Sequence, residues 1–590
     1  MLLALLALLA CARPPQAVAP PPAADLLYFA MVDRFANGDP KNDGDADLSD
    51  PAAFHGGDLA GIVKHLDYLR DLGVKTLWIS PVFDMREEKI DGHGAFHGYW
   101  TLNPGRVSAR FGDEADLRRL RDELHRRDMR LVLDMVWNHV GYDAPLTEQR
   151  PEWFHHEGDI RNWDDPIERV THDVHGLPDL AVEEEAVYGW LLHHAETWLH
   201  EVRPDGVRID AVRHMPLTFQ ARIAEDLRAA GGQDLWLVGE AFEGDPAKLA
   251  GILAGGGFSA VFDFPMHYAM VDVFCRDRGV GRLASTLSQD RAYGEALRQN
   301  PGALVTFLDN HDVSRVLSAC GGDPARVQQA LFFQMMSRGT PSLTWGTEIG
   351  LSGAGEPENR GDMRFDVASP LTETVRRLAA ARANHPSLTA SATLGLSLSE
   401  TGYVSARVSP DEVALLGVNR GDTPLSVEVP QAWRAGGNTG GLSVGADGAL
   451  QDMVDIDAGL TRMMVPPHGS AVLFFRASAP GGFQAWVDQA WADTARREVV
   501  LDASLPDLAE GEAALWVGAG DALGAWDPSR AVPIVDGRAS VEAPVGAVLA
   551  SKIVLRRADG SITWEQGEDR AILVTAGEAP LRVEAVWRAP

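Results

Sequence analysis

The chain has 590 residues, of which 45% are hydrophobic and 23% charged, and its formal net charge is −31. This composition is typical of a globular protein with enough residues for several domains, and it excludes a disordered or fibrous chain. Because long-range repulsion opposes the encounter of two anions, the charge argues against nucleic acid or an anionic membrane surface as a partner.

The N-terminus has an apolar segment, MLLALLALLA, followed by a cysteine and a stretch rich in proline and alanine up to residue 24. The segment is too short to span a bilayer. Its ending, Leu8-Leu9-Ala10-Cys11, resembles a bacterial lipoprotein signal with a lipidated cysteine, and a plain secretory signal is the alternative. Both interpretations predict export, either anchored by lipid at Cys11 to a bacterial membrane or secreted or periplasmic.

The chain contains three cysteines. With Cys11 assigned to the export signal, only Cys275 and Cys320 remain in the folded part. Two cysteines imply no disulfide framework, and we expect both to be buried as small apolar residues.

Short apolar runs alternate with segments of helical periodicity between residues 25 and 390. Eight of these runs are predicted strands: 26–32, 76–80, 130–137, 206–210, 235–240, 259–264, 303–309 and 341–345. Strands that alternate with helices in this way favour an α/β fold of the (β/α)8 TIM-barrel type. A doubly wound open sheet is the structural alternative.

Three further regions differ from the barrel segment in composition and periodicity. Residues 140–181 form a connection rich in Trp, His and Asp with little periodicity, which predicts a small subdomain inserted above the barrel. From residue 391 to 477, apolar and polar residues alternate between Gly/Asp turns, which predicts a β-sandwich. A second β-rich block, residues 483–590, follows the Ala-Pro-Gly-Gly break and predicts another β-sandwich.

Carboxylates stand at the ends of three predicted strands. In a (β/α) barrel, the residues at the C-terminal strand ends face the active site, so Asp210, Glu240 and Asp312 are expected to converge. A cluster of like charges raises the pKa of at least one member, as a general acid requires near neutrality. Two carboxylates that flank one bond, an acid and a nucleophile, are the machinery of retaining glycoside hydrolysis.

Four segments now resemble a known family: DMVWNHV (134–140), GVRIDAVRH (206–214), GEAF (239–242) and FLDNHD (307–312). In this order they are similar to the four signature regions of the α-amylase superfamily, and LPDL (177–180) is similar to the fifth. The resemblance implies Asp210 as nucleophile, Glu240 as general acid/base and Asp312 as the carboxylate that stabilises the transition state.

The same resemblance implies a set of residues that contact sugar. These are His97, Tyr99, His139, Arg208, Arg213, His214, His311, Glu356 and Arg360. Tyr99 would be a stacking platform, and Arg208 would keep Asp210 ionised by charge pairing. Arg213 stands where α-amylases often place a lysine that reaches the leaving-group sugars. Glu356 departs from the family pattern, which usually has Asp beside Arg360.

Two calcium sites are predicted. NGDPKND (37–43) and GGD (56–58) supply the hard oxygen ligands that calcium prefers. The alternative is a generic turn rich in Asn, Asp and Gly that binds no metal. The first segment resembles a calcium site of cyclodextrin glycosyltransferases, which implies the ligands Asn37, Asp39, Asn42, Asp43, Gly56 and Asp58. A second site common in α-amylases matches Asn138, Asp179 and the carbonyl of His214.

The C-terminal block resembles the starch-binding domain of glucoamylases and cyclodextrin glycosyltransferases over residues 514–534 and 551–570. Trp526 and Trp564 match its exposed indoles, whose flat faces suit pyranose rings, and Lys552 matches the lysine beside them. The alternative is a pair of core tryptophans in a small sandwich.

These features predict a monomeric, calcium-dependent, retaining endo-hydrolase of α-1,4-glucosidic bonds in starch and maltooligosaccharides. One alternative is a transglycosylase on the same scaffold that makes cyclodextrins or transfers maltosyl units. Another, of a different class, is a non-catalytic starch-binding lipoprotein of the cell surface.

Overall fold

The computed structural model describes residues 25–589 except 391, 454–460 and 493–494. The predicted export signal with Cys11 lies outside the described residues. Among the residues that the structure describes, no helix has both the length and the apolar character needed to cross a membrane.

Eight parallel strands form a closed barrel. They are β1 (Leu26–Ala30), β2 (Val74–Ile79), β3 (Arg130–Met135), β4 (Gly206–Ile209), β5 (Trp236–Gly239), β6 (Ala260–Phe262), β7 (Leu304–Phe307) and β8 (Thr340–Thr344). Because β1 pairs with both β2 and β8, no edge strand remains. The predicted TIM barrel is confirmed, and the open doubly wound sheet is wrong.

All eight predicted apolar runs overlap a barrel strand, because parallel strands are buried on both faces and therefore form continuous apolar segments in the sequence. The longer helices between them are Leu59–Lys64, Leu66–Leu72, Glu114–His125, Glu185–Glu201, Leu217–Gly231, Pro246–Gly255, Phe264–Cys275, Gly281–Ser288, Gly294–Gln299, Pro324–Met336 and Pro370–Asn384. Short helical turns occupy Val32–Phe35, Val212–His214, Gln289–Tyr293, Val316–Ala319, Thr347–Ile349, Glu358–Arg360 and Pro386–Thr389.

Side-chain caps fix where several barrel helices begin. The Asp113 carboxylate accepts from the backbone N–H groups of Ala115 and Asp116. The Asp116 carboxylate in turn accepts from the backbone N–H of Asp113, which completes a capping box. Asp245 and Asp323 each cap a helix whose first residue is proline, the residue whose missing N–H costs nothing there.

Two long connecting segments extend from the barrel. After β2, the strands Phe83–Met85 and Thr101–Val107 form a hairpin. After β3, residues 140–181 hold only the short helices Pro145–Gln149, Pro151–Trp153 and Glu168–Thr171. Backbone bridges between His139 and Asp179 and between Phe154 and Leu180 tie the two ends of this insertion together at the barrel mouth.

The remaining chain is built from antiparallel sheets, with one parallel pair. A six-stranded sheet contains Ala392–Leu398, Gly402–Val408, Glu412–Asn419, Gly469–Arg476, Asn438–Val444 and Leu450–Asp452, and Leu425–Glu428 pairs with Arg462–Val465. A sheet of Arg538–Pro544, Arg496–Ser504 and Leu581–Val586 faces one of Val532–Ile534, Ala513–Gly518, Val548–Arg556, Ile562–Trp564 and Arg570–Leu573. The helices Gln431–Arg434, Gln484–Trp491 and Asp521–Leu523 complete these regions.

The final block packs directly on the barrel. The helix Gly281–Ser288 lies against the strand Arg570–Leu573, and the backbone N–H of Gly279 donates to Glu568 Oε2 at 2.8 Å. Ala571 lies so close to Gly281 that a Cβ there would approach it to 2.4 Å. The close approach therefore requires glycine at this position.

Cys275 and Cys320 are buried, as predicted, but they form a disulfide, so the expectation of two unbonded cysteines is wrong. Cys275 ends the helix that follows β6, and Cys320 follows the short helix after β7. The barrel brings these two segments together although they are separated by 45 residues, and nothing local in the sequence signals that contact.

We predict that the double variant Cys275→Ala/Cys320→Ala unfolds at a lower temperature than the unsubstituted protein. Closing a loop of 45 residues removes unfolded-chain entropy equivalent to at most about 4 kcal/mol. Scanning calorimetry with and without a reducing agent measures the effect. Reductant should lower the midpoint of the unsubstituted protein and leave that of the double variant unchanged, and an unsubstituted protein indifferent to reductant would contradict the disulfide.

Candidate active site

The three predicted catalytic carboxylates lie together at the C-terminal end of the barrel. Asp210 directly follows β4, Glu240 directly follows β5, and Asp312 lies in the loop after β7. Asp210 and Glu240 are almost buried, whereas the side chain of Asp312 is 32% exposed to the cleft. The arrangement predicted from the strand ends is therefore present.

The Arg208 guanidinium interacts with several carboxylates of the site. Its Nη1 donates to Asp210 Oδ1 at 2.6 Å and to both oxygens of Asp134 at 2.9 and 3.2 Å. Its Nη2 lies 3.8 Å from Glu240 Oε2. The guanidinium is fully buried over the ring of Trp78, at 5.1 Å from the centroid. It supplies the positive charge that two buried carboxylates require.

Asp134 is a residue to which the sequence reasoning gave no role. It accepts hydrogen bonds from the Tyr99 hydroxyl at 2.8 Å and from Trp78 Nε1 at 3.0 Å, in addition to those from Arg208. The available signal was its place within an apolar strand, in register with Arg208 on the next strand. Asp134 therefore positions both Arg208 and Tyr99.

Glu240 has the electrostatic environment of a general acid. Burial raises its pKa to about 8, the charges of Asp210 and Asp312 act in the same direction, and Arg208 opposes them. The backbone N–H of Ala211 donates to Glu240 Oε2 at 3.0 Å and orients the carboxyl group. A carboxyl with this pKa is protonated at neutral pH and available to donate that proton.

Aromatic and imidazole rings form one wall of the site. The rings of Tyr99 and His311 stack with centroids 5.0 Å apart, and His97 lies parallel to Tyr99 at 5.8 Å. His139 Nε2 is 3.2 Å from the Tyr99 carbonyl. Burial lowers the pKa of all three histidines, so they are neutral groups that can exchange hydrogen bonds with sugar hydroxyls.

Glu356 and Arg360 lie beside Asp312. Arg360 Nη2 donates to Glu356 and lies 3.5 Å from Asp312 Oδ1, while Arg360 Nε donates to the His311 carbonyl at 3.0 Å. The longer Glu356 side chain thus still pairs with the arginine, although the family usually has Asp in its place.

Arg213 and His214, both predicted to contact sugar, are also held by neighbouring loops. Arg213 donates to the carbonyl oxygens of Phe242 at 2.8 Å and Trp163 at 3.4 Å, so its guanidinium is held by protein. His214 Nδ1 lies 3.1 Å from the Arg169 carbonyl, and its ring stands edge-on to Trp163. The sequence did not signal these partners, because they belong to loops whose path depends on the tertiary fold.

The first predicted metal site has a donor set that fits calcium. Asp58 is buried and accepts from the backbone N–H groups of Gly38 and Asp39, at 3.0 and 2.7 Å, and from Asn42 Nδ2 at 3.3 Å. Asn42 Oδ1 is buried without a hydrogen-bond partner. A Cβ at Gly56 would meet the side chains of Asp43 and Asn37 at 2.9 and 3.0 Å. All six predicted ligands therefore lie within one oxygen-rich loop cluster.

At the second predicted metal site, the Asp179 carboxylate forms an ion pair with a histidine. Asp179 Oδ2 lies 2.7 Å from Nδ1 of His155, a residue that sequence reasoning missed. The hydrogen bond that His155 donates to Asp179 raises the pKa of His155 to about 9, and burial raises the pKa of Asp179 to about 6. Asn138 is buried with Nδ2 unpartnered. Across the described residues, no group of three or more His, Cys, Asp and Glu side chains is arranged to hold a metal ion.

Trp526 and Trp564 form a surface pair in the final domain. Their ring centroids are 6.4 Å apart, and Trp564 is 39% exposed. Lys552 Nζ donates to the Gly567 carbonyl at 2.5 Å beside them. The core tryptophan of this domain is instead Trp516, so the alternative of two core indoles is wrong.

Comparison with known families identifies two regions. Residues 29–382 match the profile described as "Alpha amylase, catalytic domain", and residues 498–583 match that described as "Starch binding domain".

Several relatives are similar over the barrel. The chain is 34% identical over 383 residues to the beta/alpha-amylase of Paenibacillus polymyxa, covering 61% of this chain and 30% of that protein. It is 31% identical over 352 residues to an α-amylase of Saccharomycopsis fibuligera, covering 57% and 68%. It is 27% identical over 468 residues to the cyclomaltodextrin glucanotransferase of Klebsiella oxytoca, covering 68% and 70%. The match thus spans less than a third of the first relative's length.

Solved structures are also similar. An Anoxybacillus α-amylase has a TM-score of 0.69 at 31% identity, covering 78% of this chain and 99% of that one. The γ-CGTase of alkalophilic Bacillus clarkii also has a TM-score of 0.69, at 21% identity, over 97% of this chain and 99% of that one, which indicates a shared fold.

The raised pKa of Glu240 predicts a pH-dependent difference in stability between the protein and its Glu240→Gln variant. Because the folded state holds the proton up to about pH 8, burial of the carboxyl costs stability as pH rises from the unfolded-state value of 4.5 through 8. Glutamine does not titrate, so the variant should gain up to about 4 kcal/mol relative to the unsubstituted protein.

Thermal unfolding of both proteins between pH 5 and pH 9 measures this difference. Near pH 5 the two midpoints should be similar, and above pH 8 the variant should have the higher one. A difference that stays constant across this range would contradict the raised pKa.

Proposed function

Because the chain belongs to the α-amylase family of glycoside hydrolases, we propose that it is an endo-acting enzyme that hydrolyses α-1,4-glucosidic bonds of starch with retention of configuration. The observation that carries this proposal is the pair of carboxylates with unlike environments. Asp210 is hydrogen-bonded to Arg208, and Glu240 is buried with a pKa of about 8. A retaining glycosidase needs one carboxylate as nucleophile and one carboxylic acid as proton donor.

The reaction proceeds in two displacements. Glu240 transfers its proton to the glycosidic oxygen while an Asp210 oxygen attacks the anomeric carbon, which forms a glycosyl ester and releases the leaving-group sugar. Glu240, now a carboxylate, removes a proton from water, and the resulting attack at the anomeric carbon cleaves the ester. Asp210 is released as a carboxylate and Glu240 is protonated again.

The neighbouring groups support this chemistry without forming covalent bonds. The Asp312 carboxylate opens to the cleft with His311 Nε2 3.4 Å from it, and we assign both groups to hydrogen bonds with sugar hydroxyls. Arg208 stabilises Asp210 as an anion both before attack and when it leaves in the second step. Asp134 in turn fixes the orientation of Arg208.

Starch and maltooligosaccharides are the substrates we propose. The Trp526–Trp564 pair offers two aromatic faces to glucose rings, with Lys552 beside them, outside the catalytic barrel. A domain that binds the polymer keeps the barrel near its substrate and raises the effective concentration of cleavable bonds.

A second candidate activity is transglycosylation on the same scaffold. Phe242, two residues after Glu240, is 41% exposed, and such an aromatic surface could retain an acceptor sugar in place of water. The non-catalytic starch-binding lipoprotein is disfavoured, because all three carboxylates are present and grouped. Export, with or without a lipid at Cys11, is a further part of the proposal that the signal-like N-terminus supports.

We predict that Glu240→Gln lowers starch hydrolysis by about 10²–10⁴-fold, because the variant cannot donate a proton. Reducing-sugar release from soluble starch measures the rate, and sedimentation with insoluble starch provides the control, since binding should be unchanged. Chromatography of the products from starch and maltoheptaose separates linear from cyclic or elongated ones. If the unsubstituted protein and Glu240→Gln are equally inert while both bind starch, the enzymatic proposal is wrong.

We also propose that calcium binds the Asn37–Asp58 loop cluster, where the ion would supply positive charge to a carboxylate-rich loop and stabilise it. The predicted result is that a chelator lowers the thermal midpoint and that added calcium restores it. An ion at 100 times its dissociation constant contributes about 2.7 kcal/mol to stability.

Asp43→Asn tests the assignment, because it removes a ligand charge while keeping the side-chain volume. It should weaken the calcium response by at least about tenfold in midpoint concentration. Asp47→Asn is the matched control, since Asp47 lies in the same loop and its exposed carboxylate accepts hydrogen bonds from Ser49. An Asp43→Asn protein with an unchanged calcium response would place the ion elsewhere.

A further inference from the structure

The amide side chain of Asn359 binds the backbone on both sides of Asp312. Asn359 lies in the helical turn Glu358–Arg360, in the loop after β8. Its Nδ2 donates to the His311 carbonyl and to the Val313 carbonyl, each at 3.0 Å. These two carbonyls belong to the residues that directly precede and follow Asp312. One amide group from a neighbouring loop therefore constrains the backbone that carries the third carboxylate.

A second asparagine binds the same stretch from within the loop after β7. Asn310 Oδ1 accepts from the backbone N–H of Asp312 at 2.8 Å and from that of Val313 at 3.2 Å. Arg360 Nε adds a hydrogen bond to the His311 carbonyl at 3.0 Å. Backbone N–H and carbonyl groups of residues 311–313 are thus satisfied by side chains, which leaves this short stretch little freedom to rotate.

The Asp312 carboxylate is held less tightly by side chains than Asp210 is. His311 Nε2 lies 3.4 Å from Asp312 Oδ2, and Arg360 Nη2 lies 3.5 Å from Asp312 Oδ1. Both distances exceed that of a strong charge-assisted hydrogen bond, such as the 2.6 Å between Arg208 and Asp210. Because these contacts are long and the Asp312 side chain is 32% exposed, its position is set chiefly by the backbone that carries it.

Asn359 is itself firmly placed. It is 1% exposed, and its backbone N–H donates to the Gly355 carbonyl at 2.8 Å. Gly353 packs so closely that a Cβ there would lie 2.4 Å from Asn359 Cα. Asn359 Oδ1 is buried with no hydrogen-bond partner among the described residues, which costs stability. A leucine would fill a similar space without that cost, so what the amide provides is its pair of N–H donors.

We propose that Asn359 is a positioning residue that holds Asp312 in place for transition-state stabilisation by binding the carbonyl groups on both sides of it. Asn359 makes no contact with sugar in this role. The inference rests on the proposed function and adds to it a residue from the loop after β8. A displacement of a catalytic group by about 1 Å can cost about 10²-fold in rate, so a constraint on this backbone matters for the reaction.

Gln334 offers a matched control in the barrel wall. Its Nε2 also donates to two backbone carbonyls, those of Thr306 in β7 at 2.9 Å and Ser342 in β8 at 3.0 Å. It is 1% exposed, and its Oε1 is likewise buried with no partner in the described part of the chain. Loss of both donors at Gln334 should therefore affect stability as loss at Asn359 does, but it should leave Asp312 in place.

The first test measures kcat and KM with maltoheptaose for Asn359→Leu and Gln334→Met, which remove the donors and keep a similar volume. For Asn359→Leu we expect kcat to fall about 10- to 100-fold and KM to change less than about threefold, because hydrogen bonds to sugar hydroxyls strengthen in the transition state. For Gln334→Met both constants should stay within about twofold, although its thermal midpoint falls as much. An unchanged kcat in Asn359→Leu, or an equal loss in Gln334→Met, would overturn the inference.

Asn359→Asp repeats the measurement with almost no change in shape. Its carboxylate has no N–H to donate and would place an oxygen against the two carbonyl oxygens, so kcat should fall at least as far as in Asn359→Leu. Because only one of these variants adds a charge, a loss shared by both excludes charge as its cause, and a loss confined to Asn359→Asp would overturn the inference. Should Asn359→Leu not fold, an unchanged kcat in Asn359→Asp would overturn it.

A double-mutant cycle with Asp312→Asn tests whether the effect passes through Asp312. If it does, Asn359→Leu should lower kcat by less than about twofold in the Asp312→Asn background. The same full loss in both backgrounds would mean that Asn359 acts through Arg360 or through the fold in general, and the inference would be wrong.

Crystal structures of the unsubstituted protein and Asn359→Leu test the placement without turnover. We expect the Asp312 carboxylate to be displaced in the variant while Asp210 and Glu240 keep their positions, and an Asp312 that has not moved would overturn the inference. If the unsubstituted protein releases no sugar from starch, the proposed function fails whatever these structures show. If it is active and Asn359→Leu keeps its kcat, only the role of Asn359 fails.

Discussion

The catalytic face of this barrel depends on one buried positive charge. Removing a guanidinium from water costs several kcal/mol unless acceptors replace the lost hydration. Hydrogen bonds from Nη1 of Arg208 to Asp134 and Asp210 offset this cost. Because Asp134 stands in register with Arg208 across β3 and β4, the ion pair also constrains how these two strands align at the barrel mouth. Packing of the strands and placement of the nucleophile are consequently satisfied by the same contacts.

The two catalytic carboxylates lie at unequal distances from this charge. Asp210 accepts a hydrogen bond from Arg208 at 2.6 Å, while the nearest Arg208 nitrogen to Glu240 is at 3.8 Å. The more distant carboxyl gains less from the cation and bears the cost of burial, so its pKa rises. Burial together with the charges of Asp210 and Asp312 thus gives Glu240 the pKa of an acid, while Asp210 keeps its hydrogen bond from Arg208.

The barrel and its catalytic residues could be predicted from sequence because both depend on local patterns. Parallel strands are apolar throughout, and the polar residue that ends such a run, such as Asp210 or Glu240, must face the barrel mouth. The Cys275–Cys320 disulfide, the His155–Asp179 pair and the partners of Arg213 could not be predicted in this way. Each joins segments that are brought together only by the closed barrel or by the path of the inserted loop.

Two arginines five residues apart in GVRIDAVRH bind different kinds of acceptor. Arg208 lies on a strand and binds side-chain carboxylates, so its partners cannot change without altering the charge balance on which the chemistry depends. Arg213 lies in the turn beyond and binds backbone carbonyls, which every residue type supplies. The side chains at positions 163 and 242 can therefore vary while their backbone carbonyls stay bonded to Arg213. The physical basis for this separation is that the hydrogen bonds of one guanidinium go to side-chain carboxylates and those of the other go to backbone carbonyls.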